Sequence, residues 1–559
     1  MKSKQKTFQL FLLMLISLAF CACVKSIDGV VDDASTNRPF VPYSFSVKTS
    51  KDSAKFLWTA PVLSAGKRYT YTVDVAQDST FGKIDFTKTL DTLGFVVVDP
   101  TLTVAKKYFA RLRVNGFKGS QPSNYYYLTK PFSIPGLNYL RVIRDFEVTP
   151  TTALIHWYTN ANTTDINKVV LSVDGVQAAS YDISPAENAS GAKLLDKLTP
   201  NTKYSLQVFA GTKSKGTLSF ATPKTLVFTT ILNSGGDLAG AITAAADGDV
   251  IGLNPGTYTL SSIYTMTGKS VTIASVSNKP ADTKVKVREL DVLGTNGGIN
   301  LIGLDLDGNY SGTSYGTQFL VIKGAAAGGD PANFADVRID NCYIHDFTRC
   351  LLIANNATTV NTQTIKSFTI NNCIIYNIDK AGTSTYYTLS MEKLLFNNLN
   401  ITKSTFYNMG AGMINMGTTL AASTILPTIN IDYCTFNNFG GSNKYLLIDA
   451  NNNKISYTLK NSILANSPQA GSINGTAFRG TGAGSVLDFL NNDYFQLNST
   501  AGATTPLVLT GLNQVACLSI NLGWTATTQN FSLAALPDAN PVLTLSSSAN
   551  TVGDPRWAY

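Results

Sequence analysis

Six short apolar runs recur along the C-terminal half of the chain, and most lead into a residue that could do chemistry. They are QFLVIKG (318–324), CLLIAN (350–355), YYTLSM (386–391), GMINMG (412–417), YLLIDA (445–450) and TAFRG (476–480). If Ile322, Ile353, Leu389, Ile414, Ile448 and Phe478 face a core, strand alternation turns the next residue outward. That outward column reads Lys323, Ala354, Ser390, Asn415, Asp449 and Arg479, with Arg349, Glu392, Lys393 and Lys444 near it in sequence. Its cations suit an anionic polymer, because Arg can grip a carboxylate bidentately while Lys acts as a point charge. The carboxylates suit other chemistry less well. Glu392 and Asp449 stand two repeats apart, roughly 10 Å at strand spacing, which is far for one calcium ion wanting about six to eight oxygen ligands. A glycosidase needs carboxylates about 5–9.5 Å apart. The column offers no such pair, since Asp305 and Asp307 of LIGLDLDGN fall in another part of the repeat. For any single cation, plain solvated surface is the competing reading.

The elements that must position this column repeat in sequence. FTINNCIIYNI (368–378) has relatives at 337–347 (VRIDNCYIHDF), 399–409 (LNITKSTFYNM), 429–439 (INIDYCTFNNF), 457–467 (YTLKNSILANS) and, more weakly, 488–498 (DFLNNDYFQLN). A strand-bearing unit with a period near 30 residues reads as a solenoid, in which each coil stacks on the last and equivalent residues form ladders. Position three (Ile339, Ile370, Ile401, Ile431, Leu459, Leu490) and position eight (Ile344, Ile375, Phe406, Phe436, Leu464) are expected inside. Position six (Cys342, Cys373, Ser404, Cys434, Ser462) is a column of small side chains, so its cysteines read as buried thiols. Position ten (Asp346, Asn377, Asn408, Asn438, Asn466) predicts stacked side chains that satisfy turn backbone.

Other chemistry has little material. Beyond the two N-terminal cysteines there are five, Cys342, Cys350, Cys373, Cys434 and Cys517, an odd number that cannot complete a disulfide framework. No CxxC pair or Cys/His cluster signals zinc. His156 and His345 are the only histidines, and His156, in TALIHW, reads as structural. A net charge of +8 over 559 residues with no dense basic block gives nucleic-acid binding no support. Only 14% of residues are charged, against the usual quarter or so, which suits a β-rich secreted protein.

The segment GDLAGAITAAADGDVIGLNPGTYTL (236–260) puts Leu238, Ile242 and Ala245 on one helical face before a strand and a Pro-Gly turn. A short helix leading into GD-V-I-x-L-x-P-G-x-Y resembles the opening of pectin-lyase-like right-handed parallel β-helices, where the helix caps the first coil's open edge. The resemblance implies that the first sheet and its flanking loops line a polysaccharide groove. It also implies that uronate lyase chemistry, where present, uses Arg or Lys with calcium.

Two modules precede this domain. AKFLWTAP with Trp58, and Leu102, Tyr108, Leu112, Val114, Gly119 and Ser123 within LTVAKKYFARLRVNGFKGSQPS, resemble a fibronectin type III domain; TALIHW, LTPNTKYSLQVF (198–209) and FATP (220–223) resemble a second. The N-terminus MKSKQKTFQLFLLMLISLAFCAC, with basic residues, an apolar run and Ala22 before Cys23, reads as a lipoprotein signal, with plain secretion as the alternative. The ending VGDPRWAY resembles the tail of Bacteroides-type surface lipoproteins that join fibronectin-like modules to a pectate-lyase-like domain; Gly553-Asp554-Pro555 reads as a turn, with Trp557 closing the last coil.

These readings predict an all-β chain: signal peptide 1–22, linker 23–39, sandwiches 40–132 and 137–226, and a right-handed single-stranded parallel β-helix over 232–559. Two functions stay open. One is a surface lipoprotein that binds and cleaves an acidic polysaccharide by β-elimination, with Arg479, Lys444 and Arg349 as catalytic candidates and calcium as an optional cofactor. The other is a non-catalytic glycan-binding protein or adhesin. Substrate-binding candidates are Lys323, Ser390, Glu392, Lys393, Asn415 and Asp449. Cys23 is the lipidation candidate, and the expected form is a monomer anchored at an outer membrane or cell surface.

Overall fold

The computed structural model describes residues 38–62, 64, 68–116, 119–325, 330–384, 386–420, 425–522, 531 and 552–557. The signal segment and Cys23 lie outside them. No helix among the described residues is long and apolar enough to cross a membrane.

The first sandwich pairs strands Tyr43–Thr49, Ser53–Thr59 and Gly94–Val98 in one sheet. Phe86–Leu90, Tyr71–Ala76, Phe109–Val114 and Tyr126–Tyr127 form the other. Alternation along Ser53–Thr59 sends Ala54, Phe56 and Trp58 inward, with Phe56 stacked on Phe95 at 4.8 Å. The Tyr108 hydroxyl accepts the Thr103 N–H at 3.0 Å, five residues upstream. In the second sandwich Ala153–His156 pairs with Ala192–Leu195. Facing them is a sheet ordered Val176–Asp182, Lys168–Val173, Lys203–Ala210, Lys213–Ala221. Tyr204 accepts from Thr199 at 2.9 Å over the same interval of five. This repeated tyrosine corner, with strands split three against four in the first module, makes both modules fibronectin type III-like. His156 bonds Glu147 at 2.8 Å, and Arg144 bonds Glu147 too, a buried structural cluster.

From Thr230 to Ser519 the described residues form a parallel β-helix. Its first strand, Thr230–Leu232, pairs in parallel with Val250–Leu253. Between them the helix Leu238–Ala244 is capped by Asp237, which accepts the Gly240 N–H at 2.8 Å, and buries Leu238 and Ile242 in the coil core. Among the described residues one sheet carries twelve strands and a second carries sixteen. The second bends at the long strand Thr283–Leu293. The first half of that strand pairs with Asp305–Asp307 and the second half with Gln318–Lys323. Two arms therefore run from it. One continues through Tyr343–Phe347, Ile374–Ile378 and Thr405–Met409; the other, the first-sheet arm, continues through Cys350–Ile353, Leu389–Ser390, Ile414–Asn415, Ile448–Asn451 and Phe478–Gly480.

The ladders explain why the coils stack. Position three aligns as Ile339, Ile370, Ile401, Ile431 and Leu459, all nearly or fully buried. Burying such a side chain contributes about 1.5–3 kcal/mol. The weakest repeat shifts by one: Phe489, and not Leu490, stands opposite Leu459. DFLNN offers two apolar neighbours, and the larger fills the core. Position eight aligns Ile344, Ile375, Phe406, Phe436 and Leu464 inward, with Phe406 stacked on Phe436 at 5.0 Å. Position six is fully buried, and its cysteines are free thiols. At position ten, Asn377 donates to Asp346 at 2.9 Å, Asn408 to Asn377 at 3.2 Å and Asn438 to Asn408 at 2.8 Å. All four have φ between 52° and 64°, a left-handed turn that Asn and Asp tolerate better than other non-glycine residues.

Trp557 does not close the last coil. It lies against Tyr343, Ile374, Ile463, Ala465 and Phe531 on the outer side of the middle coils, and its indole donates to Thr405 Oγ1 at 2.6 Å. An indole needs both an apolar bed and an acceptor, and those coils supply both.

Candidate functional site on the first-sheet arm

Along this arm Leu320, Leu352, Leu389, Ile414, Ile448 and Phe478 form the aligned inward rungs. The next residues give an outward column of Asp291, Val321, Ile353, Ser390, Asn415, Asp449 and Arg479. Val321 and Ile353 thus hold the rungs expected for Lys323 and Ala354. QFLVIK and CLLIA are apolar on both faces, so alternation alone does not settle their register. Ala354 is in the core. Lys323 does point outward, one step along, opposite Leu293, and its ammonium sits 2.7 Å from Asp291 Oδ2.

Four further candidates converge around Asp449, which is 8% exposed. Arg479 donates Nε to Asp449 Oδ1 at 2.7 Å and Nη2 to Oδ2 at 2.8 Å, and this hydrogen-bonded carboxylate raises the guanidinium pKa further. The Tyr387 hydroxyl donates to Asp449 Oδ2 at 3.4 Å and accepts the Tyr445 N–H at 3.1 Å. Asn415 receives the Gly417 N–H at 2.7 Å and donates to Glu392. Burial pushes the Glu392 pKa up, against the opposing pull of Lys393 and Lys444. Ser390 is fully buried, accepting the Tyr387 N–H at 3.1 Å and donating to the Tyr387 carbonyl at 3.3 Å; it holds the loop and is not presented to a ligand.

Three of the candidate cations sit by a tyrosine, whereas Lys393 lies near enough to Glu392 to lower its pKa. Arg349 is 5.0 Å from the Tyr386 ring centre, Lys444 is 5.7 Å from Tyr387, and Arg479 is 5.1 Å from Tyr445. Sequence reasoning missed these tyrosines, although YY precedes TLSM and Tyr445 opens YLLIDA.

It also missed a carboxyl pair at the other end of the arm. Glu289 and Asp291 alternate along Thr283–Leu293, so both side chains leave the same face. Burial, with the charge and hydrogen bond of Asp291 next, pushes Glu289 up to about 7, against Lys323 and Arg288. Gln318 Nε2 donates to Glu289. The E-x-D spacing was legible, but this strand precedes the first recognisable repeat.

The other arm gathers a second charged group. His345 bonds Asp346 through Nδ1 at 2.7 Å and Asp305 through Nε2 at 2.8 Å, with Lys284 3.2 Å from Asp305 and 3.4 Å from Asp307. Burial alone would lower the imidazole pKa, but the bonds to Asp305 and Asp346 raise it to about 9. Asp307, His345 and Asp346 lie close enough to share a cation. Both ring nitrogens of His345 are already held by Asp346 and Asp305, and Lys284 bridges Asp305 and Asp307, so this set does not fit a metal. At Asp449 calcium fits no better, since it would have to displace Arg479 from both carboxylate oxygens.

A family described as "Domain of unknown function (DUF4957)" matches residues 256–409, within the β-helix. No curated protein is significantly similar to the chain. Among solved structures, the chicken CNTN1 FN1-FN3 domains are similar at 13% identity over 33% of this chain and 66% of that one, just under two thirds, with a TM-score of 0.15. A two fibronectin type-III domain segment from chicken tenascin is similar at 16% identity over 32% of this chain and 97% of that one, with a TM-score of 0.17. The sandwich assignment rests on strand order and the paired tyrosine corners.

Proposed function

We propose that the chain is a lipid-anchored surface protein whose β-helix binds an acidic, uronate-containing polysaccharide along the first-sheet arm. One observation carries the reading: three tyrosine–cation pairs, Tyr386–Arg349, Tyr387–Lys444 and Tyr445–Arg479, spread over neighbouring coils. A tyrosine offers a flat, amphipathic surface to a sugar ring, and the adjacent cation meets its carboxylate by a charge-assisted bond. Asp449 keeps Arg479 protonated. That suits recognition and works against Arg479 as the base of an elimination.

Cleavage is a second reading, favoured by Glu289. A carboxyl near 7 is suited to general-base work at neutral pH. The anchor rests on Ala22-Cys23 and on the likeness of VGDPRWAY to the tails of Bacteroides-type surface lipoproteins.

The test is a panel of polygalacturonate, alginate and glucuronate-containing polymers in affinity electrophoresis, followed also for unsaturated products with and without calcium. Retention without product is the expected result. Product formation that Glu289→Gln abolishes turns the reading to a lyase, and no retention on any acidic polymer overturns it. Mass spectrometry of the mature N-terminus should find acylated Cys23.

A further inference from the structure

The amide column of position ten ends abruptly. Asn438 donates to Asn408, but in the next coil Asn466 donates to Asn437 Oδ1 at 2.7 Å. The Asn438 carbonyl oxygen therefore receives no hydrogen bond from the described residues. Asn438 and Asn466 line a cleft of about 540 Å³ together with Ser467, Gln469, Gln496 and Asn498, within the range of roughly 300–1,000 Å³ usual for small-molecule sites.

Its lining has unmet hydrogen-bonding capacity. Gln469 donates Nε2 to the Lys380 carbonyl at 2.8 Å, while its buried Oε1 has no donor. No residue lining the cleft is charged or aromatic. A buried acceptor left without a donor costs about 1–3 kcal/mol, so the fitting ligand brings donors. It must also accept from the amide N–H groups. Sugar hydroxyls do both. A carboxylate entering here would be desolvated without a cation to meet it, and an apolar ligand would leave the Gln469 oxygen unpaired.

We propose that this cleft is a second carbohydrate site, selective for a neutral, hydroxyl-rich sugar unit and independent of the charged first-sheet arm. Its ligand is set by amides where the arm's is set by cations.

The experiment titrates the full mature chain with neutral gluco-, galacto-, manno- and xylo-configured trisaccharides, followed by saturation-transfer NMR and calorimetry. Two variants are compared, Gln469→Ala and Asn438→Gly; glycine keeps the left-handed backbone at φ 52°. Thermal unfolding checks that each is folded, and Asn498→Ala replaces either that is not. At least one neutral trisaccharide should bind wild type, and each variant should weaken it about fivefold or more, while saturating trigalacturonate leaves it bound. The proposal is overturned if no neutral trisaccharide binds, if folded variants bind as wild type does, or if trigalacturonate displaces the sugar. These outcomes are independent of whether acidic polymers bind the arm.

Discussion

Arg479 holds Asp449 through two parallel hydrogen bonds, of 2.7 and 2.8 Å, while its guanidinium carbon stands 5.1 Å from the Tyr445 ring centre. The carboxylate fixes the fork before any ligand arrives, which reduces the ordering cost of binding. Arg479→Ala should weaken binding of polygalacturonate about tenfold, the equivalent of about 1.4 kcal/mol. Arg479→Lys should recover only part of it, because an ammonium cannot reproduce the bidentate geometry. Exposed Arg68, in the first sandwich, serves as the control and should change nothing. Calorimetry on the three variants checks this, and equal affinity in Arg479→Ala and wild type would remove Arg479 from the site.

Glu289 sets a pH dependence at the opposite end of the same arm. Its carboxyl is raised from 4.5 to about 7, so between these values the folded state holds a proton that the unfolded chain has released. Stability should accordingly fall as pH rises from 4.5 through 7. Glu289→Gln keeps a donor toward Asp291 and removes the titration. It should melt higher than wild type at pH 8 and close to it at pH 4. A variant that melts lower at both values would show that the pair is not sharing a proton.

His345 has the same sign over a higher window. The imidazole is raised from 6.5 to about 9 by its bonds to Asp305 and Asp346. Its contribution is complete below pH 6.5 and is lost as pH climbs through 9. His345→Gln should be less stable than wild type at pH 6, with the gap narrowing by pH 10. Melting curves at four pH values decide it; a constant gap would mean packing on Tyr376, 4.7 Å away, and not charge.

How much of this was legible follows from the kind of residue involved. The strand–Asn–strand unit announced the coils, because a left-handed turn makes the same demand at each of these repeats. The Ile339 to Leu459 ladder followed, since polar neighbours fixed its alternation. Where both faces of a strand are covered the pattern disappears, and Val321 and Ile353 took rungs assigned to Lys323 and Ala354. Glu289 itself stands on a strand that belongs to no clear repeat, and His345 takes one of its two carboxylate partners, Asp305, from another such strand. The landing place of Trp557 depends on coils about 150 residues away, where Thr405 is its acceptor, and no local rule reaches that far.

The position-six thiols give a simple accessibility test. Cys342, Cys373 and Cys434 are fully buried, and burial pushes all three thiol pKa values up, Cys373 to about 12. Cys350 is equally buried, whereas Cys517 is half-buried. A thiol reagent acts on thiolate, so in a chain lacking the N-terminal cysteines Cys517 should label first under native conditions. The other four should appear only after denaturation. Peptide mapping of a short labelling pulse reads this directly, and fast labelling of Cys373 would contradict the inward column.

The C-terminal Trp557 should be a stability determinant even though it lies outside the coils. Its indole is 2% exposed, packs on Phe531 at 5.2 Å and donates to Thr405 Oγ1, whose own proton goes to Asp554 Oδ2 at 2.8 Å. The Asp554 N–H bonds Thr435, and a carboxylate oxygen of Asp554 takes the Arg556 N–H at 2.9 Å. Removing the ring opens a cavity between tail and coils, a change that costs about 3–5 kcal/mol for a buried Trp→Ala. Trp557→Phe keeps most of the bulk and loses only the N–H bond, so it should cost nearer 1 kcal/mol. Urea unfolding followed by circular dichroism separates the two, with Trp557→Ala giving the larger drop in midpoint. If both variants unfolded as wild type does, the tail would contribute nothing to coil stability, and truncation before Val552 would be silent as well.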